Sequence, residues 1–247
     1  SERIETAPFA GSDISSDSLK ICSVDTKKIT GVSHEWLAKL YLNKIEWDDW
    51  ISTGVKKKLP WLLGRIAAKD AVRDLLASLG IRLYPSQVII QNDGTGRPLV
   101  SLDQNASFDL PVPRISISHK EAMGVALAVT ADADGTPGID TENVDREIPE
   151  ALLEQSFNSD ELEILKTESS PVPEYIIQCW CAKEAVAKAK GMADLFHPGK
   201  IIIEKFDTET GVAFLRLNDN ITGSDSRNLM VKTVIKNKQV FAVSIIL

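Results

Sequence analysis

Two stretches of the chain repeat apolar residues at helical spacing, and each stops at a glycine. One ends at Gly80 and the other at Gly191. A glycine just past the last periodic residue is a helix C-terminal signal, because it accepts the left-handed backbone that closes a helix. A β-branched run follows each predicted helix: Val88-Ile89-Ile90, then Ile201-Ile202-Ile203. Such short apolar runs between turn residues predict strands. Each strand leads into a glycine-containing turn, Asp93-Gly94-Thr95-Gly96 or Thr210-Gly211. A strand pair closes each half. Ile115-Ser116-Ile117-Ser118 pairs with Gly124–Val129, and Leu229–Ile235 pairs with Val240–Leu247.

The two sets of elements read as copies of one unit, the alternative being that Ala-Lys-acidic-Ala is simply common helix composition. Ala68-Lys69-Asp70-Ala71-Val72 recurs 114 positions later as Ala182-Lys183-Glu184-Ala185-Val186. The β-branched runs are 113 apart and the closing strands 115 apart. Landmarks in one order at nearly one offset predict a duplicated unit. The predicted fold class is therefore α+β: two pseudo-twofold-related α+β halves, each a long helix packed on a small antiparallel sheet. The halves are expected over residues 19–132 and 133–247, with an active site between them. Residues 1–18 are rich in Ser and Asp and lack periodicity, so they are expected to be a linker or tail, as if excised from a larger synthase.

Composition narrows the function. The net charge of −7 has the wrong sign for a nucleic-acid binder, so no nucleic-acid partner is expected, and any anionic ligand must be held by local basic groups. No apolar run approaches the roughly 20 residues that span a bilayer, so no membrane partner is expected. Cys22, Cys179 and Cys181 are an odd, sparse set, which favours a reducing, cytoplasmic location over a disulfide framework. They and the three histidines lack zinc-type spacing.

Gly138-Ile139-Asp140-Thr141-Glu142 follows a Pro-Gly turn and has strand character. Residues two apart on a strand share a face, so Asp140 and Glu142 point together. Paired carboxylates repel unless a cation lies between them, and a hard ion such as Mg²⁺ suits an all-oxygen set. Taken by itself, the pair is equally an ordinary solvated strand end. Trp180-Cys181-Ala182-Lys183-Glu184-Ala185-Val186-Ala187-Lys188 is a strong helix, with Glu184 and Lys188 on one face. That spacing alone fits a helix ion pair worth about 0.2–0.5 kcal/mol. Arg65, Lys69 and Arg73 form a stripe on the earlier helix, either a solvated face or a phosphate-binding row. Gly96-Arg97-Pro98 reads as a hairpin turn with an exposed Arg. Ser118-His119, alone, reads as structural.

In this order, the motifs Gly64-Arg65, Gly96-Arg97-Pro98, Ser118-His119, Gly138-x-Asp140-x-Glu142 and Trp180-x-x-Lys183-Glu184-Ala185-x-x-Lys188 resemble the larger, surfactin-synthetase-activating class of phosphopantetheinyl transferases. Thr141 stands where that class commonly has an aliphatic residue, and Lys120 where a small one is usual. The resemblance implies transfer of the 4′-phosphopantetheine arm of coenzyme A to a serine of an acyl or peptidyl carrier protein, or a carrier domain of a synthase. It implies Mg²⁺ as cofactor, coenzyme A as co-substrate and 3′,5′-ADP as the product released. Asp140, Glu142 and Glu184 would hold the metal. Glu184, directly or through water, would be the general base, and Lys188 would serve the leaving phosphate. Arg65 and His119, preceded by Ser118, would bind the 3′-phosphate; Gly96, Arg97 and Pro98 would lie by the adenine or its phosphates; Lys183 would touch phosphate.

Two other readings compete. A non-catalytic carrier-binding or structural domain of a synthase would share the fold, but such a domain would be expected to lose some of Asp140, Glu142, Glu184 and Lys188, all of which are intact. An unrelated Mg²⁺-dependent nucleotide enzyme lacks support, because the chain has no Gly-x-x-x-x-Gly-Lys-Ser/Thr loop.

Overall fold

A computed structural model describes residues 1–5, 18–103, 112–120, 122–167, 170–191, 200–217 and 229–246. The chain divides into two compact units, Ser1–Pro137 and Gly138–Leu247. The class is α+β, as expected.

The first unit is built on α3, Val55–Ser78. It packs on a four-stranded antiparallel sheet with the order β1-β2-β6-β5. These strands are β1 (Glu2–Ile4), β2 (Leu19–Asp25), β5 (Arg114–Lys120) and β6 (Met123–Val129). Helices α1 (His34–Tyr41) and α2 (Lys44–Ser52) precede α3, and the hairpin β3 (Val88–Asn92)–β4 (Pro98–Leu102) follows it. Part of the expected N-terminal tail is thus a strand: Arg3 pairs with Cys22 and Ile4 with Ile21, and Ile4 is buried. The rest of that tail, 6–17, lies outside the described residues. One β-branched residue seated on the sheet outweighs the polar composition around it.

The second unit repeats the plan. Helix α6, Pro173–Lys190, packs on a five-stranded sheet with the order β10-β11-β12-β13-β7. Its strands are β7 (Thr136–Asn143), β10 (Ile201–Asp207), β11 (Val212–Leu217), β12 (Leu229–Lys236) and β13 (Gln239–Ile246). Two short helices, α4 (Glu150–Ser156) and α5 (Ser159–Ile164), and the two-residue strands β8 (Lys166–Thr167) and β9 (Ser170–Pro171) complete it. Pro173 opens α6, where its missing N–H costs nothing. Gly191 closes it at φ 66°.

Each unit also contains a buried ion-pair clip. In the first, Asn43 and Glu46 cap α2 reciprocally. Glu46 Oε1 accepts from Ile90 N at 3.1 Å, and Oε2 from Lys69 Nζ at 2.5 Å. Lys69 Nζ donates also to the carbonyls of Val88 at 2.5 Å and Pro85 at 3.1 Å. All three ammonium donors are satisfied, which is the condition for burying a lysine completely. In the second unit, Asn158 and Glu161 cap α5 in the same way. Glu161 Oε1 accepts from Ile203 N at 2.7 Å and Lys183 Nζ at 2.6 Å, while Lys183 also donates to Ser156 O at 2.6 Å. Glu46 and Glu161 are 115 apart, Lys69 and Lys183 are 114 apart, and Ile90 and Ile203 are 113 apart. The clip therefore carries the sequence repeat into three dimensions. It ties a short helix, a long helix and a strand together in each unit.

Candidate functional site

The carboxylates of the second unit come from β7 and α6. Their two elements approach unusually closely at Gly138. A Cβ there would lie 1.9 Å from the Ala185 carbonyl oxygen and 3.0 Å from the Ala189 Cβ. No rotamer relieves an overlap with backbone, so the glycine of the Gly-x-Asp-x-Glu motif is a packing requirement. It lets β7 approach α6 at this point and brings Asp140 to Lys188. Asp140 and Glu142 are both buried.

Two cations balance them. Lys188 Nζ donates to Asp140 Oδ1 at 2.7 Å and to the Ile139 carbonyl at 3.2 Å. Arg146 Nη1 donates to Glu142 Oε2, and its guanidinium lies 5.1 Å from the Trp180 ring centroid. Lys188 thus reaches across to the strand, beyond the i,i+4 pairing its spacing with Glu184 predicts. Burial, with the Asp140 charge second, pushes the Glu184 carboxyl up to about 7; Lys188 and Arg146 act in the opposite direction. The Cys181 thiol lies beside the Asp140 carboxylate and is held protonated, chiefly by burial.

Among the described residues, no three His, Cys, Asp or Glu side chains stand in a metal-holding group. Asp140, Glu142 and Glu184 are in electrostatic contact, but the first two turn their oxygens to Lys188 and Arg146. The donor set nevertheless fits a hard divalent cation. All three donors are carboxylates, and the Asp140 and Glu142 charges add to the effect of burial in raising the Glu184 carboxyl, a repulsion that such an ion would relieve.

The first unit holds a second constellation. A cavity of about 150 Å³ is lined by Trp61, Gly64, Arg65, Asn92, Gly96, Pro98, Ile117 and His119. Arg65, Gly96, Pro98 and His119 were all expected at a ligand, and they meet here. Gly64 allows the convergence, since a Cβ on it would come within 3.0 Å of Ile117 Cγ2 and 3.1 Å of His119 Cδ2. Gly96 has φ 87°, which the turn between β3 and β4 requires and a side chain would strain. Ser118 is buried on β5 and does not line the cavity. Arg97 lies in the same turn as Gly96 and is likewise absent from the lining.

Lys183 is not with the carboxylates. Its ammonium is consumed by Glu161 and Ser156 and sits 4.6 Å from the Phe157 ring centroid, so the phosphate contact expected of it is replaced by the buried clip. Lys69 likewise leaves the Arg65–Lys69–Arg73 stripe, which is neither a solvated face nor a phosphate row at that position. Sequence reasoning missed Arg146, Asn92 and both clip glutamates. The glutamates were findable: Asn43-x-x-Glu46 and Asn158-x-x-Glu161 are capping signatures at the offset of the repeat.

The architecture defines an α+β protein with an acidic site on one strand–helix pair. Residues 136–244 match the family model of the 4′-phosphopantetheinyl transferase superfamily, almost the whole of the second unit. Among solved structures, the chain is similar to holo-[acyl-carrier-protein] synthase from Neisseria meningitidis, at 22% identity and TM-score 0.41, over 46% of this chain and 97% of that one. It is similar to holo-ACP-synthase from Plasmodium yoelii at 24% identity and TM-score 0.38, over 46% and 92%. The Helicobacter pylori holo-[acyl-carrier-protein] synthase, solved in complex with coenzyme A, is 23% identical with TM-score 0.37, over 45% and 98%. No curated protein matched the chain. Among the described residues, no helix is long and apolar enough to cross a membrane.

Proposed function

We propose that this chain is a phosphopantetheinyl transferase of the surfactin-synthetase-activating class, which moves the 4′-phosphopantetheine arm of coenzyme A to a carrier-protein serine and releases 3′,5′-ADP. The observation that carries the reading is the meeting of Asp140, Glu142, Glu184 and Lys188 on β7 and α6, within the stretch that matches the superfamily model.

Asp140, Glu142 and Glu184 would hold Mg²⁺, which when bound neutralises charge on the coenzyme A pyrophosphate. The serine oxygen attacks the β-phosphorus, and the bond to the bridging oxygen of the 3′,5′-ADP breaks. Glu184, directly or through a water, accepts the serine proton. Lys188 places its charge beside the leaving phosphate. In the first unit, the Arg65 and His119 pocket receives the 3′-phosphate, and the Gly96–Pro98 turn lies by the adenine. Cysteine chemistry has no part here, since burial pushes the thiols of Cys22, Cys179 and Cys181 upward and leaves them inert.

The direct test is mass spectrometry of an apo-carrier protein incubated with the chain, coenzyme A and Mg²⁺. The wild type adds one phosphopantetheine and Asp140→Ala adds none. An unmodified carrier with the wild type, or a modified one with the variant, overturns the assignment.

The metal-free protein gives a second check. Glu184 stays protonated in the folded state up to about pH 7, whereas in the unfolded chain it ionises near 4.5. Between those values folding takes up a proton. Stability is therefore full below about 4.5 and is lost as pH rises through about 7. The loss is on the order of 2 kcal/mol after discounting for the partial exposure of the side chain. Urea melts in chelator across that window show the slope. Glu184→Gln removes it, and added Mg²⁺ flattens it in the wild type. A flat profile in chelator contradicts the electrostatic account of the site.

A further inference from the structure

Arg65 is a charged side chain in the middle of a helix and only 7% exposed. Burial draws its guanidinium below the ordinary arginine value, with Glu46 and Asp49 partly offsetting the effect. A guanidinium so enclosed normally fills all its N–H donors. Here one edge is fixed: Nη2 donates to Asn92 Oδ1 at 3.0 Å. One face is covered, with the Trp61 ring centroid 4.8 Å away. Yet Nε is buried without a partner among the described residues, beside the cavity that Gly64, Gly96 and His119 also line.

The partner at position 92 matters because it is neutral. An amide oxygen orients the fork without cancelling its charge, whereas a carboxylate there would do both. The support behind it is rigid. Asn92 ends β3, and the turn that follows is fixed by Asp93 Oδ1, which accepts from Thr95 N at 2.8 Å and Arg97 N at 3.0 Å. The guanidinium is thus oriented, stacked and still charged, with an unfilled donor. That is a preorganised receptor for a phosphate monoester, whose oxygens take two donors of an arginine fork at once.

We propose that Asn92 is a positioning residue for Arg65, and that with Trp61 it sets the preference of this pocket for 3′-phosphorylated coenzyme A over dephospho-coenzyme A. The proposal rests on the reading of the Arg65 pocket as the 3′-phosphate site.

The experiment is calorimetric titration of the full chain with coenzyme A and with dephospho-coenzyme A, without carrier protein, for wild type, Asn92→Ala, Asn92→Asp and Arg65→Ala. The wild type prefers coenzyme A. Asn92→Ala weakens coenzyme A binding about tenfold, the usual worth of one hydrogen bond to a charged group, and leaves dephospho-coenzyme A unchanged. Asn92→Asp loses more, because its charge competes with the phosphate. Asn92→Ala also lowers the melting temperature, because it leaves a second buried Arg65 donor unpaired, so both variants are titrated well below their unfolding transitions. If Arg65→Ala abolishes the preference while Asn92→Ala keeps it, the positioning role is wrong and the pocket assignment stands. A wild type that binds both ligands equally removes the pocket assignment and this proposal with it.

Discussion

Lys183→Met lowers the stability of the second unit by about 3 kcal/mol, the usual loss when one partner of a buried ion pair is removed. The cost comes from what is left behind. Glu161 stays 1% exposed, with Lys183 no longer there to balance its charge. Methionine fills the space of the lysine stem, so cavity formation is a minor part. Combining it with Glu161→Leu removes the stranded charge but recovers only part of the loss. Glu161 also accepts the Ile203 N–H and caps Asn158, and leucine does neither. Turnover of Lys183→Met, measured well below its unfolding transition, stays near the wild-type value. A variant that is stable but slow would return Lys183 to the phosphates and contradict the clip. Lys69→Met tests the same device in the first unit, where the ammonium has three partners and the loss is at least as large.

The fate of Lys183 shows where the sequence is legible and where it stops. Periodicity and the terminal glycines locate α3 and α6, because helix period and C-terminal chemistry are local properties. The strands after them, and both closing hairpins, follow from β-branched runs and turn residues. Asp140 and Glu142 could be placed together because strand geometry makes residues two apart neighbours. Lys183 and Lys188 lie in one motif on one helix, but five positions place them about 140° apart around its axis, on different faces. What separates them is which neighbour each meets: a helix-capping glutamate from α5 for Lys183, a strand carboxylate from β7 for Lys188. Those are tertiary contacts over 22 and 48 residues, which no local pattern encodes. Arg146 was invisible for the same reason; nothing in Asp145-Arg146-Glu147 marks it as the residue that turns back to Glu142 and covers Trp180. The motif glycines were legible as positions but not as causes. Gly138 and Gly64 are explained only once the carbonyl of Ala185 and the side chains of Ile117 and His119 are seen against them.

On the proposed function, Lys188→Ala lowers turnover about a hundredfold or more, the usual effect of deleting one preorganised charge from a transition-state site. The structure sharpens how that loss appears. Lys188 is one of the groups that draw the Glu184 carboxyl down, against burial and the Asp140 charge. Without it the carboxyl of the metal-free protein rises further, so the fall of stability in chelator moves to higher pH. The lost turnover is the charge withdrawn from the leaving phosphate. Stability falls by only about 1 kcal/mol, because Lys188 is a quarter exposed and water replaces it at Asp140. Lys188→Arg restores the position of that fall, since it restores the charge. It leaves turnover low, since a planar fork does not reproduce a compact ammonium between Asp140 Oδ1 and the Ile139 carbonyl. The measurement is phosphopantetheinylation of an apo-carrier protein with Mg²⁺ by the three proteins, alongside urea melts in chelator across pH 4–9. A Lys188→Ala variant with near-normal turnover and an unshifted stability profile would reduce Lys188 to a structural clamp on β7 and take the leaving-group role from it.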